Sequence, residues 1–430
     1  MNHLTPGPSP AREESRVISL TGEMAETLLP NGIRVLTERI PGVRSAAVGI
    51  WVRQGAAHET PELRGASHLL EHLVFKGTGR RTSKEIALAL ESLGGSLDAY
   101  TSREHTGFQA RVLDEHLPLA LDVLADLVTD PLLRDGDLEL EREVVLEEIA
   151  TVEDTPDDLV FDLFSARFWG DHPYGHPILG TRETVSGLGG DALRALHETR
   201  YVGRNLVVAA AGQVRHSDVV EQVQSLFGEL PRGEAPPSLP EVPIVPVGGE
   251  CVDRASIQTH LVFGNAIPGH SDPRRYTLAL LSSALGGGMS SRLFQKVREE
   301  MALAYTVFTF QSFFAQAGIS GVYVGTRPAS AQRAVDAILE EMGKIARESL
   351  EPQELEQTKQ QLKGQIMLSL ESTGARLHRL AGFALHDEPF VTLDELLGKL
   401  DGVTAEEAAQ VAEDFFSPGG LFLLRLGPQE

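Results

Sequence analysis

Residues 229–249 read ELPRGEAPPSLPEVPIVPVGG and carry six prolines. Proline lacks a backbone donor and fixes φ, so neither a helix nor a central strand runs through such a stretch. It therefore acts as a linker that divides the 430-residue chain into two parts of similar length, 26–228 and 250–430. Each part is long enough to bury a core of its own, and the total length favours two or three domains.

The two parts read alike. In the first, Thr27 to Glu38 with a central Asn31-Gly32 predicts a hairpin, and SAAVGIWVR at 45–53 a buried strand. Apolar spacing and capping chemistry predict a helix over Leu63 to Phe75, stopped by Gly77, and another opening at Thr82 with Glu85 three residues on. Ser96 to Arg111 is rich in β-formers, helices are expected near 115–128 and 137–153, and Asn205 to Ala211 closes this half as a strand. The second part opens on strand-like Ile257 to Phe263, has long helices near 273–285 and 352–371, and closes on Leu421 to Leu426. The pattern points to a duplicated α+β unit, although no repeat is visible residue by residue.

Hydrophobic residues at 42% and charged ones at 23% are ordinary for a globular protein, but the formal net charge is −23. A field of that sign repels phosphates, which argues against a nucleic-acid binder, and attracts cationic peptides. Cys251 is the one cysteine, so no intramolecular disulfide can form; without a catalytic partner nearby it reads as a small core residue. No apolar run approaches the ~20 residues of a membrane span. Met1 to Glu14 is polar and Pro-rich with no apolar core, unlike a secretory signal. Residues 1–25 are expected as a disordered leader, and the protein as cytoplasmic.

The chemistry concentrates at His68-Leu69-Leu70-Glu71-His72. Residues four apart share a helix face, so His68 and His72 can hold one metal ion, while Glu71 flanks that face within reach of a bound water. Neutral imidazoles leave the charge of zinc uncancelled, so its water can lose a proton near pH 7, and a carboxylate that is not a ligand can take it. Ala66, Leu69, Leu70, Leu73, Val74 and Phe75 make the helix apolar nearly all round, which implies burial. Buried ionisable groups are costly unless paired or bound to metal. A catalytic zinc usually has three protein ligands. The acidic helix Glu139 to Glu153 is the candidate source: Val144, Val145 and Ile149 mark an inward face, and Glu141 and Glu148 lie on one side, seven apart. Spacing does not choose between Glu147 and Glu148.

Four separated segments, HLLEHLVFKGTGRRTSKEI, GGSLDAYTSREHTGF, EREVVLEEI and GGGMSSRLFQKVREEMALAY, resemble the pitrilysin, insulysin and mitochondrial processing peptidase family, bacterial processing-peptidase-like members above all. The resemblance runs from about residue 27 to near the C-terminus. It implies two similar domains, each a mostly antiparallel sheet flanked by helices, and a zinc endopeptidase with one zinc per chain. By the same resemblance His68, His72 and Glu148 are ligands, Glu71 is the general base, and Glu141 orients a liganding histidine through its free ring N–H. Asp98-Ala99-Tyr100-Thr101 would be the edge strand on which a peptide is laid, with Asp98 standing where members often have Asn. Arg298 and Tyr305 match a pair suited to a developing oxyanion. The short-chain members imply a homodimer closing a chamber around an unfolded, possibly basic, peptide, with the Arg–Tyr pair of one chain facing the zinc of the other.

Other constellations lack ligand spacing. His172 and His176 are four apart, but Pro173, Gly175 and Pro177 forbid a shared helix face, and Glu104-His105, Glu115-His116 and His197-Glu198 lack a second histidine at ligand spacing; all are read as structural. The competing functional classes are a non-catalytic scaffold subunit of the same fold and a peptide-binding chaperone with structural zinc.

Overall fold

A computed structural model describes residues 16–21, as backbone, and 23–428 in full. The first sheet contains β1 (Arg16–Thr21), β2 (Met24–Leu28), β3 (Arg34–Arg39), β4 (Ser45–Val52), β5 (Ser96–Thr101), β6 (Thr106–Leu113) and β7 (Leu206–Gly212), in the order β1-β2-β3-β7-β4-β6-β5. The second contains β8 (Gly248–Asp253), β9 (Thr259–Pro268), β10 (Ala304–Phe313), β11 (Ala317–Thr326) and β12 (Phe422–Gly427), in the order β10-β11-β9-β12-β8. Strands β3 and β7 pair in parallel, as do β8 and β12, while the other pairs are antiparallel. Laid side by side, β3-β7-β4-β6-β5 and β8-β12-β9-β11-β10 have the same connectivity and the same pairing sense. The halves are duplicates in topology, and the fold is α+β.

Both sheets are covered on both faces, which explains why β4 reads as a continuous apolar run. Its Ala46, Val48, Ile50 and Val52 join the core shared with the helices Ala66–Val74 and Leu117–Thr129. The opposite face, Leu36, Ala47, Trp51, Val207, Ala209 and Ala211, is sealed by Leu377, Leu380, Ala381 and Ala384 of the helix Thr373–Leu385, which comes from the second half of the chain. The reverse exchange also occurs. Val160, Phe164 and Phe168 of the helix Pro156–Trp169 cover Val262, Ile319, Tyr323 and Leu424 of the second sheet. Each half thus lends one helix to the other.

Residues 229–247 hold no helix or strand, but Leu239, Val242 and Val245 pack against the outer cluster of the second sheet. Two sequence expectations need correction. The leader expected over 1–25 overreaches: residues 1–15 lie outside the described residues, but the backbone of Arg16–Thr21 pairs with β2. Cys251, expected in the core, is exposed, because β8 is the outermost strand of its sheet and is exposed over most of its length.

Candidate metal centre

The helix carrying His68, Glu71 and His72 runs Ala66–Val74 and buries Ala66, Ser67, Leu69, Leu70, Leu73 and Val74. It starts at Gly65 with φ +90°, pressed against the loop at 179–180: a Cβ on Gly65 would lie 2.6 Å from the Leu179 carbonyl oxygen. Only glycine tolerates both that φ and that approach. The helix Asp135–Asp154 packs across it through buried Leu138, Glu141, Val145 and Ile149. Val144, expected on this inward face, is instead 44% exposed. The stripe 138-141-145-149 follows the helical period and leaves 144 outside it.

This crossing brings His68, His72 and Glu148 together, with one potential ligand atom from each lying within 4.8 Å of the others. Glu148 Oε2 stands 3.6 Å from His68 Nε2 and Glu148 Oε1 3.7 Å from His72 Nε2, while Glu147 is exposed. Tetrahedral zinc with ligands at about 2.0–2.1 Å sets its donors roughly 3.3–3.4 Å apart, so these spacings fit that ion with little movement. Burial, and then the neighbouring His72, hold the His68 imidazolium down to about 4, so the ring is neutral and ready as a ligand at neutral pH. Its Nδ1 is buried without a hydrogen-bond partner among the described residues.

His72 is held differently. Its Nδ1 donates to Glu141 Oε2 at 3.1 Å, which fixes the tautomer and leaves Nε2 free to face Glu148. Lys76 Nζ meets the other Glu141 oxygen at 2.6 Å, so this 6%-exposed carboxylate has a cation and an imidazole as partners. Glu71 Oε2 accepts a 2.6 Å hydrogen bond from Thr101 Oγ1. Burial pushes the Glu71 carboxyl above its ordinary value and Glu148 adds to this, against the Thr101 hydrogen bond and His72. A carboxyl shifted this way is a better proton carrier near neutral pH than an exposed one.

Thr101 ends β5, the edge strand of the first sheet, which also bears exposed Asp98 and half-buried Ala99 and Tyr100. Tyr100 Oη accepts from Trp51 Nε1 at 2.9 Å, and its ring lies 6.0 Å from that of His378 on the exchanged helix Thr373–Leu385. Arg298 and Tyr305 meet each other: the guanidinium stacks 4.3 Å over the Tyr305 ring, with Arg298 Nη1 donating to the Tyr305 carbonyl at 3.2 Å. Arg298 sits in a π-helical turn, Phe294–Glu300, and Tyr305 is 76% exposed. Among the described residues, neither makes a hydrogen bond or ion pair with His68, Glu71, His72 or Glu148.

Sequence reasoning missed Lys76 and the role of the Thr101 hydroxyl. Lys76 could not have been found, because its partner Glu141 lies on a different helix far along the chain. Nor could Thr101, because its bond to Glu71 spans thirty residues. The pair His172 and His176, read as structural, meets other partners: His176 Nε2 lies 2.7 Å from Arg64 Nη2, and His172 Nδ1 accepts from the Tyr174 amide at 3.2 Å.

Residues 34–182 match the family model described as insulinase, peptidase family M16, and 188–362 the model described as peptidase M16 inactive domain. An uncharacterized zinc protease of Streptomyces coelicolor is 41% identical over 400 residues, covering 91% of this chain and 87% of that protein. The uncharacterized zinc protease YmxG of Bacillus subtilis is 39% identical over 389 residues, covering 90% and 94%. Among solved structures, a peptidase M16 inactive domain from Pseudomonas fluorescens superposes with TM-score 0.88 at 19% identity, covering 97% of this chain and 98% of that one. A protease from Helicobacter pylori gives 0.86 at 21%, covering 96% and 99%. At such identities these structures speak for the fold alone.

Proposed function

The chain belongs to peptidase family M16, the insulinase family, and on that premise we propose that it is a zinc-dependent endopeptidase acting on unfolded peptides. The observation that carries the reading is the Glu148 carboxylate facing both imidazoles, with Glu71 held beside them by Thr101. His68, His72 and Glu148 would hold one zinc per chain; bound there, it supplies the Lewis acidity that lets water lose a proton near neutral pH. Glu71 takes that proton at Oε1, the oxygen not held by Thr101, and returns it to the departing amine. Glu141 and Lys76 keep His72 turned toward the site.

The outer edge of β5 offers unpaired backbone groups to an extended peptide, with Asp98, Ala99, Tyr100 and Thr101 along it. The Asp98 side chain, unlike that of an Asn, offers no amide N–H to a substrate carbonyl. Arg298 and Tyr305 would stabilise the oxyanion from the second copy of a homodimer. Their mutual stacking and the exposure of Tyr305 support a surface that awaits a partner. The charge of −23 favours basic peptides.

The deciding experiment is hydrolysis of a quenched peptide library before and after chelation. Cleavage that stops with chelator and returns with zinc is expected. Zinc binding without any hydrolysis would instead mark a chaperone or scaffold.

A further inference from the structure

Glu59 lies outside the motif helix and outside the metal ligands, yet it meets the start of that helix directly. Its Oε1 accepts from the Ser67 amide at 2.6 Å and its Oε2 from the Gly65 amide at 2.8 Å. The first amides of a helix have no partner within it. Here the N-cap residue is Gly65, which has no side chain to cap them. The carboxylate does so from a distance, in a position favoured by the helix dipole. Gln54 Nε2 adds a 3.1 Å bond to Ser67 Oγ, so Ser67 is gripped at both backbone and side chain. The next residue is His68.

Glu59 is kept there at a cost. It is 7% exposed, and burial pushes its carboxyl up to about 7 against the pull of the Ser67 and Gly65 amides and of Arg64. A neutral residue would cap one amide without the desolvation penalty of a buried carboxylate. A bidentate acceptor does something more: it fixes the rotation of the first helical turn about its axis. That rotation decides where the His68 imidazole points relative to Glu148.

Building on the zinc-peptidase reading, we propose that Glu59 is a positioning residue, whose two-point cap on Gly65 and Ser67 pre-sets His68 for the metal. A Glu59→Gln chain keeps the side-chain volume and one acceptor oxygen but loses the second. Zinc affinity, read by competition with a chromophoric chelator, should fall about 10–100-fold, the usual loss when a group supporting a ligand is removed. Peptide hydrolysis at saturating zinc should show a lowered kcat with KM unchanged, while circular dichroism matches the parent and the zinc-free melting profile stays cooperative, shifted down only by the loss of one buried hydrogen bond. Glu59→Asp, which keeps the charge but is one methylene shorter, should lie between.

Equal zinc affinity and equal kcat in the parent and Glu59→Gln chains would overturn the proposal. A parent chain that binds no zinc would bring down the peptidase reading with it, so the two failures are distinguishable. Hydrogen exchange on the unmodified protein gives a reading that needs no variant. Protected Gly65 and Ser67 amides, in zinc-loaded and zinc-stripped protein alike, are expected; fast exchange in the stripped form would refute a cap that is set before the metal arrives.

Discussion

At the scale of single residues, two carboxylates on crossing helices have different work because they have different neighbours. Glu71 has a hydroxyl on one oxygen and the other oxygen unclaimed, whereas both Glu141 oxygens are taken, by His72 and Lys76. Glu71→Gln should retain zinc while peptide cleavage falls by about 10²–10⁴-fold, the usual contribution of a general base. Zinc measured on the purified variant, together with initial rates, checks this, and unchanged cleavage would refute the assigned role. Much of this site was legible beforehand. His68 and His72 share a face by helical period alone, and the same arithmetic placed Glu141 and Glu148 on one side of their helix. Between Glu147 and Glu148 the spacing was silent, because both lie within reach of a shared groove until the crossing angle of two helices is known. Val144 misled for a related reason: one apolar residue on a charged helix does not reveal which of two adjacent stripes is buried.

At the scale of elements, the exchanged helices do most to explain the chain. The all-apolar character of β4 and β7 demands cover on both faces, and the first half's own helices pack on only one of them. The Thr373–Leu385 helix supplies the other, with Leu380 fully buried against the first sheet. Leu380→Ala should lower the stability of the whole protein by about 2–5 kcal/mol, the range for a buried leucine, as read by denaturant unfolding. A loss well under that range would show that this helix does not seal the sheet. The helix also brings His378 against Trp51 and Tyr100, so the candidate substrate strand rests partly on residues from the other end of the chain. Hairpins, capping boxes and amphipathic stripes are local and could be read in advance. The exchange could not be, since nothing in a run of thirteen residues states which sheet it will cover.

For the whole molecule, the question is where Arg298 and Tyr305 act. They are packed on each other in the second half, and among the described residues their hydrogen bonds and ion pairs do not reach His68, His72 or Glu148. If a second copy completes the site, mixing Glu71→Gln chains with Arg298→Ala chains should restore part of the activity that each lacks alone. Subunit exchange confirmed by mass spectrometry with no recovery would mean that each site is built within one chain. The sequence by itself determined that no helix or strand runs through the prolines, which strands close each half, and the helix face shared by His68 and His72. These follow from backbone sterics and from the periods of helix and strand, which act over a few residues. Sequence reasoning missed the strands that open the halves, Arg16–Thr21 and Gly248–Asp253. Only the tertiary structure decided that Glu148 faces the histidines, that Thr101 holds Glu71, that Glu59 caps the helix start, and that each half seals the other. Those depend on contacts between segments tens to hundreds of residues apart, whose geometry is set by how whole layers pack.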